Sequence, residues 1–291
     1  MNLSGQKVAG TVALPNINPP VLPDCRKCLP RTTQSIHWRF FNISIVRLLA
    51  IGDLHGLTTW VNIVAKHDVH RIVFVGDYFD AKEEISAEYQ QLNFADLVAF
   101  KRKSRDKVVL LLGNHDYYYL KGVTETYVGF QKWQKTGIQS LLHGALDDDL
   151  LQTCFAVGNI WFSHAGVTKT WLRSAGYSKD VSVEWFINDL FRRQPSMFWL
   201  INRERVTAGD ASRQSPICVR PHGLVPDMPG GYMQVIGHTP QSRLTILPER
   251  LALIDTVGTS SEYLYINDGR LLALPVSNSP PGNGEHALHS S

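Results

Sequence analysis

From residue 46 onward, short apolar runs alternate with longer stretches in which apolar residues recur at helical spacing. The runs Val46–Ile51, Arg71–Val75 and Lys107–Leu112 have the length and continuous apolar character of buried strands. Between them, Leu57–His67 and Glu83–Ser104 have the spacing of helices with one apolar face. Strands that alternate with helices in this way predict βαβ units and a parallel sheet.

The second half of the chain has a different pattern. Cys154–Phe162 is predicted to form one strand, Val181–Arg193 an amphipathic helix, and the Pro-, Gly- and Arg-rich residues 203–230 a long loop. Short strands without intervening helices follow, which indicates an antiparallel sheet. These strands are Tyr232–Ile236, Leu244–Ile246, Leu251–Asp255 and Glu262–Asn267.

The two ends of the chain lack such a pattern. Residues 1–45 are rich in proline and residues 276–291 in Ser, Pro and Gly. We therefore predict a disordered or loosely attached N-terminal extension, one folded domain over residues 46–275 and a disordered tail.

Charge and hydropathy exclude two classes of partner. Residues 1–47 carry six of the 29 basic residues and one of the 26 acidic residues, so the rest of the chain has a net charge of −2. That body lacks the basic surface that nucleic-acid binding requires. No apolar run is long enough for a membrane span, so neither nucleic acid nor a membrane is an expected partner.

The cysteines indicate the compartment. Four cysteines are too few for a disulfide framework in a chain of 291 residues. Cys25 and Cys28 form a C-x-x-C pair, but no second ligand pair follows at the spacing of a zinc site. Free thiols are therefore expected, which is typical of a reducing compartment and favours a cytoplasmic location.

Five segments repeat one order of residues: an apolar strand, then Gly or Ser, then side chains that bind metals. A lone Gly-Asp after a strand usually marks a turn or a helix cap. Five such segments are not explained by turns, because all five lie where the ends of the strands would converge at one edge. In α/β sheets, ligands bind beyond the carboxyl ends of the strands. The segments are Gly52–Gly56, Gly76–Asp80, Gly113–Asp116, Ser163–Gly166 and Gly237–Pro240.

The order of these segments within residues 48–240 resembles that of the calcineurin-like metallophosphoesterase superfamily. It is most similar to the phosphoprotein phosphatase branch, which includes bacterial and phage Ser/Thr phosphatases and the diadenosine tetraphosphatases. The resemblance implies an α/β fold, a four-layer α/β/β/α sandwich with two central mixed sheets. It also implies two divalent metal ions, held by Asp53 and His55 (first ion), Asp77 (both ions), and Asn114, His164 and His238 (second ion).

The donor types indicate which metals would bind. Carboxylate, amide and imidazole groups suit Mn²⁺, which we favour, with Fe and Zn²⁺ as alternatives to it. In the superfamily, a hydroxide activated on such a binuclear centre attacks phosphorus in line with the leaving oxygen.

A histidine that is not needed as a ligand is available for proton transfer. By resemblance, His115 is the general acid that protonates the leaving oxygen, and Asp80 is the carboxylate that orients it. A carboxylate partner fixes the tautomer of the ring and raises its pKa. Asp116, by contrast, is predicted to cap the loop.

Two positions depart from the superfamily pattern. Pro240 stands where many nucleases and cyclic-nucleotide phosphodiesterases carry a second histidine that ligates the first metal, which favours the phosphatase branch. Ala81-Lys82 stands where protein phosphatases carry Arg-Gly, whose arginine clamps the substrate phosphate, which weakens a protein-phosphatase assignment. Lys82 would substitute only as a point charge.

Arg220 is the best candidate for a second phosphate-binding arginine, with Asn114 beside it at the phosphate. It resembles the Trp-x-Arg arginine of the tetraphosphatase-like relatives, although Cys218 stands where Trp is common. Arg203 and Arg205 are weaker candidates, and a solvated loop charge is the alternative for Arg220.

The aromatic residues are more readily explained by packing than by binding. Tyr117, Tyr118 and Tyr119 follow the third segment and are expected to pack around its loop. Trp185 and Trp199 are expected to fill the core rather than to stack on a base.

We therefore expect metal-dependent hydrolysis of phosphate monoesters, phosphoproteins among them. A pyrophosphohydrolase of dinucleoside polyphosphates is the enzymatic alternative. A catalytically silent metal-binding scaffold is the alternative of another class, and the intact ligand positions disfavour it.

Overall fold

The computed structural model describes residues 46–81, 85–120, 122–123, 127, 129–199, 209–248 and 250–276. The predicted extension over residues 1–45 and the tail from residue 277 lie outside the described residues. Lys82, Arg203 and Arg205 do so as well. The predictions made for these parts of the chain stay predictions.

Strands and helices alternate in the first half of the chain. The strands are β1 (Leu48–Ile51), β2 (Arg71–Phe74), β3 (Val108–Leu111), β4 (Leu151–Gln152), β5 (Cys154–Val157), β6 (Ile160–Ser163), β7 (Met233–Ile236), β8 (Thr245–Leu247), β9 (Leu251–Leu253), β10 (Glu262–Asn267) and β11 (Arg270–Pro275). The helices are α1 (Trp60–Ala65), α2 (Ala87–Lys103), α3 (Asn114–Tyr117), α4 (Lys135–Asp147), α5 (Lys169–Ser174), α6 (Val183–Arg193) and α7 (Pro221–Leu224). Short 3₁₀ turns cover Lys132–Gln134, Pro195–Phe198 and Val225–Asp227.

The first sheet contains six strands in the order β11-β10-β1-β2-β3-β4. Strands β1 to β4 are mutually parallel, so the βαβ arrangement expected from the first half of the sequence is confirmed. Strand β10 pairs antiparallel with β1, and β11 pairs antiparallel with β10. The sheet is therefore mixed.

The second sheet corrects the prediction for the last strands. Its order is β5-β6-β7-β9-β8, with β7 parallel to both β6 and β9 and only its two edge pairs antiparallel. The expected single antiparallel sheet is wrong, because β10 joins the first sheet instead. The local pattern of apolar and polar residues predicts a strand, but it does not determine which other strand pairs with it.

The segment Cys154–Phe162 is also corrected, from one strand to the hairpin of β5 and β6. Val157 pairs with Ile160, which leaves Gly158 and Asn159 as a two-residue turn. Gly158 has φ of 59°, a left-handed conformation that glycine adopts without steric cost.

The two sheets pack face to face, with helices on their outer sides. Side chains alternate along a strand, so Ala50 of β1 and Val73 of β2 meet Val235 of β7 in one buried cluster between the sheets. Leu49 faces the other way, into a cluster shared with Phe94 of α2. This is the four-layer α/β/β/α sandwich with two mixed sheets that the resemblance implied.

The outer side of the second sheet is covered in the same way. Trp161 of β6 shares a buried cluster with Trp171 of α5 and Phe186 of α6. Leu224 of α7 packs with Leu253 of β9. Part of the predicted loop 203–230 is thus helical, and residues 203–208 lie outside the described part.

Three helices differ in detail from their predictions. Helix α1 covers Trp60–Ala65 rather than Leu57–His67. Helix α2 begins at Ala87 rather than Glu83, because the side chain of Ser86 caps it by accepting the N–H of Tyr89. On α6 the buried residues recur at helical spacing, and Trp185 lies off that face and is 56% exposed. The expectation that Trp185 fills the core is wrong, whereas Trp199 does pack against the core.

Among the described residues, no helix is both long enough and apolar enough to cross a membrane.

Candidate metal centre

The five metal-binding segments follow the carboxyl ends of five strands in both sheets. They come after β1, β2 and β3 of the first sheet and after β6 and β7 of the second. The backbone N–H of His238 donates to both carboxylate oxygens of Asp53, at 3.1 and 3.0 Å, so the ends of the two sheets are directly joined. The convergence expected from the sequence is confirmed.

Asp77 lies at the middle of this cluster, and its two oxygens face different histidines. Its Oδ1 is 3.4 Å from Nε2 of His164, and its Oδ2 is 3.8 Å from Nε2 of His55. The donor atoms of His55, Asp77 and His115 lie within 4.8 Å of one another, as do those of Asp53, Asp77 and His164. Asp77 thus belongs to two groups of donors, as a bridging ligand would.

Asn114 adds an amide oxygen on the side of the second sheet. Its Oδ1 is 2.9 Å from Nε2 of His164 and 2.7 Å from Nδ1 of His238. The donor atoms of Asn114, His164 and His238, which are expected to complete the second metal site, therefore lie close together. The division of Asp53 and His55 onto a separate first ion stays a prediction.

Backbone carbonyls fix two of the imidazole rings. Nδ1 of His55 lies 2.8 Å from the carbonyl oxygen of Phe79, and Nδ1 of His164 lies 2.8 Å from that of Val75. In each ring the Nδ1–H donates to the carbonyl, so the lone pair of Nε2 faces the cluster. Such outer contacts are typical of metal-ligating histidines.

Glycines leave the space into which the carboxylates fit. A Cβ at position 113 would lie 2.1 Å from Oδ1 of Asp77, and one at position 237 would lie 2.0 Å from Oδ1 of Asp53. No side chain is tolerated at such distances. The glycines of the third and fifth segments are therefore required by the close approach of ligand carboxylates to the backbone.

The backbone of the cluster is held in an unfavourable conformation. His55, Asp77, Asp80 and His238 have φ between 44° and 67°, although none is glycine. Each such residue costs on the order of 1–3 kcal/mol and persists only where surrounding contacts enforce it. Strain of this kind is concentrated at functional sites.

Asp116 supplies part of that enforcement. Its carboxylate accepts the N–H groups of Gly113, Asp77 and Tyr78, at 2.9, 2.8 and 2.9 Å. This ties the second segment to the third, and the predicted loop-capping role is confirmed.

His115 lies beside the cluster with a partner of its own. Its Nδ1 is 3.0 Å from Oδ2 of Asp80, and its Nε2 is 3.9 Å from Oδ2 of Asp77. Burial opposes protonation of the ring, but the carboxylates of Asp77 and Asp80 outweigh it and raise the pKa of His115. The ring is 24% exposed, so a substrate can reach it.

Tyr119 contacts the pair of His115 and Asp80, and the sequence did not reveal this contact. Its hydroxyl donates to Oδ1 of Asp80 at 2.5 Å and accepts the N–H of Gln131 at 3.1 Å. Tyr117 and Tyr118 are buried, as the packing interpretation expected. Because all three tyrosines are adjacent, the sequence held no signal that singled out Tyr119.

Two other histidines of the cluster, His164 and His238, have pKa values that are lowered rather than raised. Burial lowers the pKa of His164 well below its usual value. Burial, followed by the charge of Arg220, lowers the pKa of His238 to about 3. Both rings are therefore neutral near pH 7, which is the form that binds metals.

Arg220 lies at the edge of the centre. It precedes α7 and is exposed, and its charge acts on His238. Ala81, in the position of the missing arginine, is partly buried, and its N–H donates to the side chain of Gln90.

The donor set therefore fits divalent metal ions. It combines buried carboxylates, an amide oxygen and neutral imidazoles within a few ångströms, and burial raises the pKa of Asp77 to about 6 although His115 opposes this. Bound cations would offset the cost of burying these carboxylates together.

A cavity of about 690 Å³ lies away from the centre, between α4 and α6, and none of the candidate ligands lines it. A cavity of about 70 Å³ adjoins the centre and is lined by Asp53, His55 and Asp255, among others.

Comparisons with known proteins agree with this geometry. The model of the family "Calcineurin-like phosphoesterase" matches residues 46–218, more than half of the chain. Comparison with curated protein sequences gives no significant match.

Several solved structures are similar. The cold-active protein-tyrosine phosphatase of a psychrophilic Shewanella species has a TM-score of 0.53 and 16% identity, over 80% of this chain and 78% of that one. A protein serine/threonine phosphatase from Saccharomyces cerevisiae has a TM-score of 0.43 and 12% identity, over 81% of each chain. At these identities the Shewanella structure supports the fold alone, and the second adds no argument. The family match, together with the fold and the converging donors, identifies this chain as a member of the calcineurin-like phosphoesterases, metal-dependent hydrolases of phosphoesters.

Proposed function

We propose that this chain hydrolyses phosphate monoesters at a binuclear metal centre, with phosphoproteins among its substrates. The observation that carries the proposal is the position of Asp77, whose two oxygens face two separate groups of donors. Mn²⁺ is the favoured metal for this donor set, with Fe and Zn²⁺ as alternatives.

The ligands are proposed by position. Asp53 and His55 would hold the first ion, Asp77 both ions, and Asn114, His164 and His238 the second ion. Two divalent ions bound there would lower the pKa of a water molecule towards neutrality and neutralise charge on the phosphoryl oxygens.

His115 is proposed as the general acid. The hydrogen bond from Nδ1 to Asp80 leaves Nε2 facing the centre, where it can donate its proton to the leaving oxygen. The raised pKa favours the protonated ring, which is the form that a general acid needs. Asp80 positions the ring and does not itself contact the substrate.

Arg220 and Asn114 are proposed to bind the substrate phosphate. Arg220 lies close enough to His238 to affect its pKa, so its exposed guanidinium is within reach of a phosphate at the centre.

Replacing Arg220 by Ala is expected to raise KM about 10- to 100-fold with a smaller change in kcat, because a charge-assisted hydrogen bond is lost. Arg192→Ala, which removes an exposed arginine paired with Asp149, is the matched control. An unchanged KM in Arg220→Ala would remove this residue from the proposal.

The shape of the centre favours a substrate that approaches from solvent. Among the described residues, the adjoining cavity of about 70 Å³ is smaller than the roughly 300–1,000 Å³ of small-molecule pockets. His115 and Arg220 are both reachable from the surface. We therefore favour a phosphorylated side chain of a protein over a dinucleotide as the substrate.

We place the protein in the cytoplasm. Cys154 and Cys218 are both buried, and neither forms a disulfide with another described residue, as in proteins of a reducing compartment. Recovery of the native protein in a secreted fraction would overturn this placement.

A substrate panel tests the proposed activity. Metal-free protein is reloaded with Mn²⁺, Fe²⁺ or Zn²⁺ and assayed on p-nitrophenyl phosphate, phosphoserine and phosphotyrosine peptides, and diadenosine tetraphosphate, with Asp77→Asn as the inactive control. Turnover of the monoesters and peptides is expected. A rate confined to the dinucleotide would replace the proposal by pyrophosphate hydrolysis, and no rate on any substrate would favour a silent scaffold.

A further inference from the structure

Asp255 lies at the same edge of the second sheet as the metal-binding segments, yet it has no role in the proposed centre. It follows β9, which runs parallel to β7, the strand that ends before His238. Its side chain is 4% exposed. A carboxylate buried to this extent at the functional edge of a sheet requires a cation or hydrogen-bond donors nearby.

The backbone joins Asp255 to the loop that carries Pro240. The N–H of Gln241, the next residue along, donates to the carbonyl oxygen of Asp255 at 2.9 Å. The side chain of proline offers no donor atom to a metal, so His238 is the one proposed ligand that this loop supplies. Asp255 is therefore an acidic residue that is hydrogen-bonded to the loop directly after Pro240, whose side chain cannot bind a metal.

Asp255 lies near the donors expected for the first ion. Together with Asp53 and His55 it lines the cavity of about 70 Å³. The end of β1 passes close by, since a Cβ at position 52 would lie 3.1 Å from the Cα of Asp255.

The spacing indicates an indirect contact. Asp255 is not among the described residues whose donor atoms form groups within 4.8 Å of one another. The cavity between them has room for a water molecule with several polar partners.

We propose that Asp255 holds a water ligand of the first metal ion, beside the loop position at which Pro240 supplies no ligand. This inference rests on the binuclear centre of the proposed function. Asp255 would be a positioning residue that increases the affinity of the first ion through its negative charge and its hydrogen bond to that water. Loss of such an outer contact lowers metal affinity by about 10- to 100-fold.

The test measures metal binding rather than turnover. Mn²⁺ is titrated into the metal-free wild type and into the metal-free variants Asp255→Asn and Asp227→Asn. Calorimetry and electron paramagnetic resonance of Mn²⁺ give the number of bound ions and their Kd values. Asp227 is the matched control, because it is a mostly buried carboxylate that accepts the N–H of Thr170 outside the centre. In Asp255→Asn one Kd is expected to rise about 10- to 100-fold while the other is unchanged.

A second variant separates a metal role from a structural one. Adding Pro240→His to Asp255→Asn supplies an imidazole on the adjacent loop and is expected to restore part of the lost affinity. The melting temperature of each metal-free variant is measured alongside. Two wild-type Kd values in Asp255→Asn, with or without a lower melting temperature, would overturn the inference, whereas fewer than two ions on the wild type would overturn the proposed function itself.

Discussion

His164 and His115 are the same residue type a few ångströms from Asp77, yet their surroundings shift their pKa values in opposite directions. The side chain of His164 is fully buried, and its Nδ1–H donates to the carbonyl oxygen of Val75. Burial lowers its pKa. His115 is partly exposed and bonded to Asp80, and its pKa is raised.

In the proposed roles, the partner of Nδ1 and the degree of burial distinguish a metal ligand from a general acid. A neutral carbonyl partner leaves a neutral ring whose Nε2 lone pair can bind a metal. A carboxylate partner leaves a charged ring whose Nε2–H can be donated. One side of Asp77 is thus suited to holding cations, and the other to supplying a proton.

The largest expected effect removes the group that both regions share. Asp77→Asn is expected to abolish metal binding and turnover together, by more than the ~10–100-fold that follows loss of an outer contact. Metal content and kcat/KM are measured on the same preparation. Retention of two ions would show that Asp77 does not bridge them.

His115→Asn is expected to affect turnover without affecting metal binding. Metal content should stay at the wild-type value, while turnover of a phosphoserine peptide falls about 10²- to 10⁴-fold. The loss on p-nitrophenyl phosphate should be much smaller, because its leaving group scarcely needs a proton. His143→Asn, on α4 and outside the centre, is the control, and full activity of His115→Asn on the peptide would contradict the acid assignment.

Asp80→Asn is expected to change the pH profile. The carboxylate of Asp80 contributes to the raised pKa of His115, so removing its charge lowers that pKa. The protonated acid is then lost at a lower pH, and the basic limb of the kcat/KM profile should move towards acid. A basic limb that does not move would assign it to another group.

The smallest effect concerns Tyr119, which holds Asp80 in place. Tyr119→Phe removes one hydrogen bond, worth about 0.5–1.5 kcal/mol, and should lower kcat/KM about 2- to 10-fold. Tyr117→Phe is the control, since that hydroxyl bonds to the carbonyl of Pro195 away from the centre. Equal losses in both variants would indicate packing alone.

Much of this centre could be predicted because the pattern is local. A buried strand followed by Gly-Asp or Gly-His is visible in a few residues, and the topology of a parallel sheet brings such strand ends together. The glycines of this pattern have a structural reason, since a side chain at position 113 or 237 would clash with the carboxylate of Asp77 or Asp53.

The rest depended on contacts between residues that are distant in sequence. The pairing of β10 with β1 and of β7 with β9 follows from the packing of the two sheets, which local alternation does not encode. The sequence predicts a core position for Trp185, although the face defined by Phe186 and Leu190 excludes it. The local pattern predicts Asp255 only as the end of a strand, because its relation to Asp53 exists only in the folded chain.

The account rests most directly on two ions that share Asp77. Electron paramagnetic resonance of the metal-free protein titrated with Mn²⁺ measures this, because two ions on one bridging carboxylate are magnetically coupled. We predict two Mn²⁺ per chain and a coupled spectrum at saturation, in the wild type and in His115→Asn alike. A single ion, or two ions with the spectrum of isolated Mn²⁺, would contradict the binuclear centre.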